Sequence, residues 1–185
     1  KIKLPDYDSK PSTLVKMYLG GEFGKNADDV NAYAAGAFYA VDRFASYKLD
    51  WGKDYENGAL ILADRYATSN SIYQMEKIDE DKWDEYLDWS ADFEYNKIGI
   101  PRPDLVIFLD MPVDVSQKLM TSRYNGDDVH EANVDFLNNC RKSALYTAKK
   151  QGWAVVPCSD GINPLPIKEI HNTILDFVKK ELKEK

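Results

Sequence analysis

Apolar positions follow two rhythms along these 185 residues. Short continuous runs alternate with longer stretches of helical spacing. Ile2 and Leu4 precede Pro5. Ala59 to Ala63 is wholly apolar after the breaker Asn57-Gly58. Leu105 to Leu109 follows Pro101-Arg102-Pro103, and Trp153 to Cys158 follows Gly152. Runs of this length predict strands buried on both faces. Four strands are expected, at 1–4, 59–63, 105–109 and 153–158.

The intervening stretches read as helices. Leu14, Val15, Tyr18 and Leu19 share a face, with Ser12 as a candidate N-cap and Gly20-Gly21 as the stop. Asp28-Asp29 suits the start of a second helix running to about Tyr47, with Val30, Tyr33, Ala37, Phe38, Val41 and Phe44 as its apolar stripe. A third is expected from Ser69 to Met75. In the acidic, aromatic stretch 78–99, Trp83, Tyr86, Leu87, Ser90 and Phe93 recur at helical spacing and read as core. Pro112 suits the first position of a helix reaching about Arg123. A turn at Asn125-Gly126-Asp127-Asp128 precedes a long helix from Val129 to Gln151. The last helix places Ile167, Ile170, Ile174, Phe177 and Val178 on one face. Strands alternating with helices predict a parallel sheet covered on both sides. The chain is too short for several large domains and contains no internal repeat.

Composition narrows the function classes. There are 24 basic and 31 acidic residues, a net charge of −7, which argues against a general nucleic-acid binder. A small anionic ligand is still compatible, because it needs only a local cluster of donors. No apolar run approaches the roughly 20 residues needed to span a bilayer, and no signal-peptide pattern is present. Cys140 and Cys158 are isolated, with no CxxC spacing, which fits a reducing, cytoplasmic setting and argues against zinc. His130 and His171 lie far apart in charged, helix-like stretches and read as surface or capping residues.

Candidate chemistry concentrates in Leu60-Ile61-Leu62-Ala63-Asp64-Arg65-Tyr66-Ala67-Thr68-Ser69-Asn70-Ser71-Ile72-Tyr73. An apolar strand ends there in an acid and a base. Open α/β sheets bind ligands at the carboxyl ends of their strands. Asp64 and Arg65 therefore read as ligand-facing, with a plain ion pair as the alternative. Asn70 and Tyr73 are three apart and neighbours on the following helix. Tyr39 and Arg43 are four apart on the earlier one. They read either as a surface ring under an arginine stem or as a ring and a cation facing a pocket.

Several ordered motifs resemble the thymidylate kinase family of P-loop nucleoside monophosphate kinases. LPDYDS (4–9) resembles the loop after the family's second strand, and FYAVDR (38–43) its base-binding helix. ADRYATSNSIYQ (63–74) resembles its DR-Y/H-x-x-S motif, and GIPRPDLVIFLDMPVDV (99–115) its P-x-P-D-L strand and turn. The resemblance covers nearly the whole chain. It implies a three-layer α/β/α fold with a mostly parallel sheet, and one nucleotide kinase-like domain over 1–185 with a lid at about 120–130. The family's first strand, GxxxxGK[ST] phosphate loop and first helix, on the order of 30 residues, have no counterpart here. The mid-strand opening fits the loss of that unit, and these 185 residues are not expected to transfer phosphoryl groups on their own. The lid also departs from the family, which is usually longer and more basic there; Arg123 stands as its one obvious cation.

The resemblance implies transfer of the ATP γ-phosphoryl group to dTMP, giving dTDP, with ATP and Mg²⁺ as cofactors. Arg65 would hold the dTMP phosphate, and Asp64 would act through Mg²⁺, a metal-bound water or Arg65. Arg123 would reach the phosphates on lid closure. Tyr7 matches a donor to the dTMP phosphate, with Asp6 and Ser9 as weaker candidates. Tyr39 matches the ring that stacks on the pyrimidine, Arg43 the arginine aimed at thymine O4, and Asn70 the group that meets N3–H. Tyr73 matches the tyrosine under the sugar, and Ser69 lies beside them. Ser159, Asp160 and Gly161 match the adenine side loosely. Family members form homodimers through helices such as 29–47. Two other readings stay open: a related kinase for another nucleotide or deoxynucleoside, and a kinase-like module that binds nucleotide without catalysis.

Overall fold

A computed structural model describes residues 1–26, 29–123 and 134–183, with side chains given for all of these but 121–123. The chain divides into two compact units, Lys1–Arg102 and Pro103–Lys185. Each is described by itself.

In the first unit, β1 (Ile2–Lys3) pairs in parallel with β2 (Ala63–Asp64), Ile2 opposite Ala63 and Lys3 opposite Asp64. Among the described residues, five helices and two π-helical stretches accompany this pair. They are α1 (Thr13–Leu19), α2 (Ala32–Ser46) with its π-helical continuation Tyr47–Trp51, α3 (Gly52–Glu56), α4 (Thr68–Tyr73) and α5 (Trp83–Ala91), which runs on as a π-helix over Asp92–Ile98. One buried cluster, with Ile2, Leu4, Tyr47, Trp51, Tyr66, Ala67 and Ile100, backs the strands. A second, with Ala32, Met75, Trp83, Tyr86 and Leu87, joins α2 to α5. Tyr33, Trp89 and Phe93 extend it as a ring ladder: Tyr33 meets Trp89 edge-on at 4.7 Å, and Trp89 stacks on Phe93 at 5.2 Å.

In the second unit, β3 (Ile107–Asp110) pairs in parallel with β4 (Ala154–Pro157). Helices α6 (Val113–Arg123), α7 (Val134–Gln151) and α8 (Ile167–Lys183) complete it. Asp110, at the carboxyl end of β3, takes a two-point grip from Arg141 on α7, at 2.6 and 2.9 Å. Among the described residues no helix is long and apolar enough to cross a membrane.

Both strand pairs are parallel, in keeping with the apolar runs, but several local expectations fail. The strands are shorter than the runs that announced them. The run at 59–63 is not buried on both faces: only Ala63 joins a ladder, and Leu60 and Leu62 are 72% and 62% exposed. Hydrophobicity marks the strand here without supplying its cover. Asp28 lies outside the described residues, and α2 is capped instead by Asn31, whose Oδ1 accepts the Ala34 N–H at 2.9 Å. Ser12 does not cap α1; its hydroxyl donates back to the Ser9 carbonyl at 2.8 Å. The third helix runs Thr68–Tyr73 rather than 69–75. The long helix is described from Val134, its expected start at 129 lying outside the described residues, as does His130.

The buried face of α2 differs most from expectation. Val41 and Phe44 of the apolar stripe are exposed, whereas Ala35, Gly36, Ala40, Asp42 and Arg43 are buried. Small residues and charges fill this face because α5 approaches closely. A Cβ on Gly36 would sit 3.1 Å from the Tyr86 hydroxyl and 3.6 Å from Asn70 Nδ2. On α8, Ile167 is exposed, and the remaining apolar positions are only half covered.

Candidate functional site

The chain turns sharply where β2 ends. Arg65 holds φ at +65°, and it is the one non-glycine residue with positive φ among the described residues. Side chains pay for this conformation with a clash at Cβ, and such residues cluster where function fixes the backbone. The turn is held from behind. Tyr66 and Ala67 are buried in the first core, and the Tyr66 hydroxyl donates to the Pro101 carbonyl at 2.8 Å. Asp64 and Arg65 are left exposed in front. They do not pair with each other. Arg65 forms no ion pair with a described residue and instead lays its guanidinium 5.0 Å from the centre of the Tyr73 ring. A ring beneath the guanidinium fixes its plane and leaves its in-plane donors for an anion.

Tyr39 is half-buried on α2 and meets Tyr18 edge-on at 6.4 Å. Burial pushes its hydroxyl well above the ordinary value of 10.0. Tyr7 and Tyr18 add to that shift, while Arg65 and Arg43 oppose it. Three other expected site residues, Tyr7, Arg43 and Arg65, thus sit within electrostatic reach of the Tyr39 hydroxyl. The loop carrying Tyr7 is anchored from both sides. Lys16 of α1 donates to the Tyr7 carbonyl at 3.0 Å, and buried Asp42 of α2 accepts the Asp6 N–H at 3.2 Å. Asp6 in turn accepts from the Asp8 N–H at 3.2 Å, and its carbonyl takes the Ser9 hydroxyl at 2.8 Å. Asp6 and Ser9 therefore shape the loop. Tyr7 itself is exposed.

Arg43 is not a surface arginine stem, nor is it open to solvent. It is 3% exposed and forks onto Glu94, which is 1% exposed, through Nε at 3.0 Å and through Nη2. Asn70, at 3% exposure, donates its Nδ2 to the same carboxylate at 3.0 Å and to the Gly36 carbonyl at 3.4 Å. Glu94, Gly36 and Asp42 are the residues the sequence reading missed. Glu94 did carry a signal, because it falls four residues after Ser90 on the stripe read as core. An acid on a buried face demands a cation, and Arg43 supplies it. Ser69 is half-buried, and its N–H is used within the chain, on the Tyr66 carbonyl at 3.0 Å.

In the second unit, Ser159, Asp160 and Gly161 form a tight loop that serves its own backbone. The Ser159 hydroxyl donates to the Asn163 carbonyl at 2.8 Å and accepts from the Gly161 N–H at 2.9 Å. Asp160 accepts the N–H groups of Ile162 and Asn163 at 2.8 and 2.7 Å, which hold its carboxyl below the ordinary 3.8. The side chain of Arg123 lies outside the described residues, as does most of the expected lid. No group of three or more potential metal ligands occurs among the described residues. Asp64 is an exposed carboxylate. That fits Mg²⁺, which usually takes one or two protein carboxylates and completes its shell with phosphate and water.

A sequence model of the family described as Thymidylate kinase matches residues 10–174. The thymidylate kinase of Mycobacterium tuberculosis (strain H37Rv) is 26% identical over 161 residues, which cover 82% of this chain and 72% of the relative. A protein named probable thymidylate kinase from Pyrococcus horikoshii is 27% identical over 176 residues, covering 95% and 78%. One of the same name from Caldivirga maquilingensis is 24% identical over 178 residues, covering 96% and 80%.

Proposed function

We propose, from the premise that this chain belongs to the thymidylate kinase family, that it is a nucleoside monophosphate kinase moving the γ-phosphoryl group of ATP onto dTMP to give dTDP and ADP. The observation that carries the assignment of residues is exposed Arg65, held at a φ of +65° at the end of β2 with its guanidinium 5.0 Å from the centre of the Tyr73 ring.

Phosphoryl transfer requires positioning and charge neutralisation more than a covalent catalyst. Arg65, stacked on Tyr73 and held by a strained backbone, supplies a planar fork for the dTMP phosphate. Tyr7 adds a hydroxyl donor from the anchored 6–9 loop. Asp64 would hold Mg²⁺, which when bound neutralises the transferring phosphates. Tyr39 stacks on the pyrimidine, with Arg43 and Asn70 at its edge. Arg43 can only donate, so it suits the thymine 4-oxo group and not the cytosine 4-amino group. A mismatch of buried polar groups costs far more than a missing methyl contact. Discrimination against dCMP is therefore strong, and against dUMP only about 1–3 kcal/mol.

Arg123 of the lid is assigned to the phosphates by the resemblance, and Ser159, Asp160 and Gly161 to the adenine. The proposal includes the three-layer α/β/α P-loop fold and a single kinase domain. A cytoplasmic setting rests on two buried thiols, Cys140 and Cys158. A homodimer through α2 rests on its exposed Val41 and Phe44.

The test is coupled ADP release by the protein as the cell makes it, with dTMP, dUMP, dCMP and thymidine as acceptors. dTMP is expected to be fastest; thymidine or dCMP outpacing it overturns the reading. Arg65→Ala is expected to abolish turnover with the circular dichroism spectrum unchanged, and near-normal turnover refutes its role.

A further inference from the structure

We infer that Glu94 is the positioning residue that sets which way the base edge is read, by locking Asn70 with its carbonyl oxygen outward beside the donors of Arg43. The inference rests on the acceptor proposed above, and it extends the site to a residue on a different helix.

The argument is one of hydrogen-bond polarity. Two groups converge on one end of the Asn70 amide: the Glu94 carboxylate at 3.0 Å and the Gly36 carbonyl at 3.4 Å. Both are acceptors only. The end of the amide that faces them must be the NH₂, which fixes Oδ1 on the other side. Asn70 thereby becomes an acceptor, although an asparagine free to turn could offer either end. The same carboxylate takes Arg43 through Nε and Nη2. The rest of the guanidinium holds N–H groups and no acceptor. The acid therefore fixes Asn70 as an acceptor and holds it beside Arg43, a donor by nature. This pair fits an imino N–H beside a carbonyl and opposes a ring nitrogen beside an amino group.

Backbone geometry keeps the acid in place. Glu94 lies in the π-helical stretch Asp92–Ile98, and its carbonyl accepts from both Gly99 and Ile100, at 3.1 and 3.2 Å. Single π-helical turns recur at functional sites because they re-aim a side chain. Gly36, where a Cβ would crowd the Tyr86 hydroxyl at 3.1 Å, presents its carbonyl to Asn70 at 3.4 Å. Glu94 is a positioning residue, since it acts through Arg43 and Asn70.

The test is to measure dissociation constants for dTMP and dCMP in wild-type protein and in Glu94→Gln. Glutamine presents both an acceptor and a donor, so Asn70 can turn either way. The preference for dTMP over dCMP is expected to fall about tenfold or more, with dCMP binding more tightly in absolute terms. A purely structural role would weaken both nucleotides alike, and an unchanged ratio overturns the inference. Should Glu94→Gln fail to fold, Glu94→Asp decides. It keeps the charge but withdraws it by one methylene, so that the long Arg43 side chain can follow it and the short Asn70 cannot. A wild-type ratio in folded Glu94→Asp overturns the inference equally.

Side-chain amide exchange of Asn70, read by ¹⁵N NMR without nucleotide, separates this inference from the reading beneath it. Slow exchange in wild type that is lost in either variant supports the lock, and fast exchange in wild type refutes it. A wild-type protein with no preference for dTMP over dCMP instead refutes the proposed acceptor.

Discussion

Arg65 combines an unfavourable backbone with an exposed, charged side chain. A left-handed φ of 65° costs an L side chain on the order of 1 kcal/mol, and glycine escapes that cost. Arg65→Gly is therefore expected to be about 1 kcal/mol more stable than Arg65→Ala in urea unfolding, while neither supports turnover. Equal stabilities would show that the turn carries no strain. Asp42 presents a second residue-level tension. Its Oδ2 holds the Asp6 N–H, but its buried Oδ1 has no hydrogen-bond partner. Burial raises its pKa above the ordinary 3.8, against the opposing pull of the Asp6 N–H and Arg43. The folded chain therefore keeps this proton at pH values where the unfolded chain has released it. Stability contributed by protonated Asp42 is complete below 3.8 and is lost as pH rises through the folded value. Asp42→Asn is expected to remove that decline, so its stability relative to wild type should improve from about pH 4 toward neutrality. A pH-independent difference in urea unfolding would refute this.

At the scale of elements, π-helical winding after α2 and after α5 shapes the first unit. After α2 it brings Gly52 against Tyr47, so that a Cβ on Gly52 would lie 2.4 Å from the Tyr47 carbonyl oxygen. Backbone must move to admit a methyl there. Gly52→Ala is expected to cost about 1–3 kcal/mol, despite alanine's better helix propensity, and a rise in melting temperature would contradict the close approach. These π-helical stretches were not legible in the sequence, because spacing fixes which residues share a face only when the winding is already known. The order and kind of elements were legible: parallel strands near 2–3, 63–64, 107–110 and 154–157 all fall on or at the ends of apolar runs. Their cover was not, since the exposure of Leu60 and Leu62 depends on what lies over them. Within the candidate site, Tyr39, Arg43, Arg65, Asn70 and Tyr73 could be picked out because they lie in short contiguous motifs. For Glu94 the sequence signals at most a buried acid, not its role, because its partners Arg43 and Asn70 lie 51 and 24 residues away in the chain.

For the whole molecule, the residues assigned to the acceptor, Arg123 apart, belong to the unit Lys1–Arg102. Binding of dTMP to the native state is expected to slow amide exchange across 3–9, 36–47 and 63–74. It should add about 2.7 kcal/mol of stability at one hundred times the dissociation constant. Unchanged exchange in those segments would remove the acceptor site from this unit. The chain carries a net charge of −7, so a phosphate dianion approaches against the overall field and relies on local cations. Here the buried fork of Arg43 on Glu94 has a different consequence. Its charges cancel, so the base edge directs hydrogen bonds without presenting a net field, whereas Arg65 has no such partner among the described residues. Added salt screens fields and leaves short buried hydrogen bonds nearly untouched. Ionic strength should therefore weaken dTMP and dCMP binding in parallel, leaving their ratio flat across a salt titration: the phosphate sets how tightly the nucleotide is held, and the neutral edge sets which one.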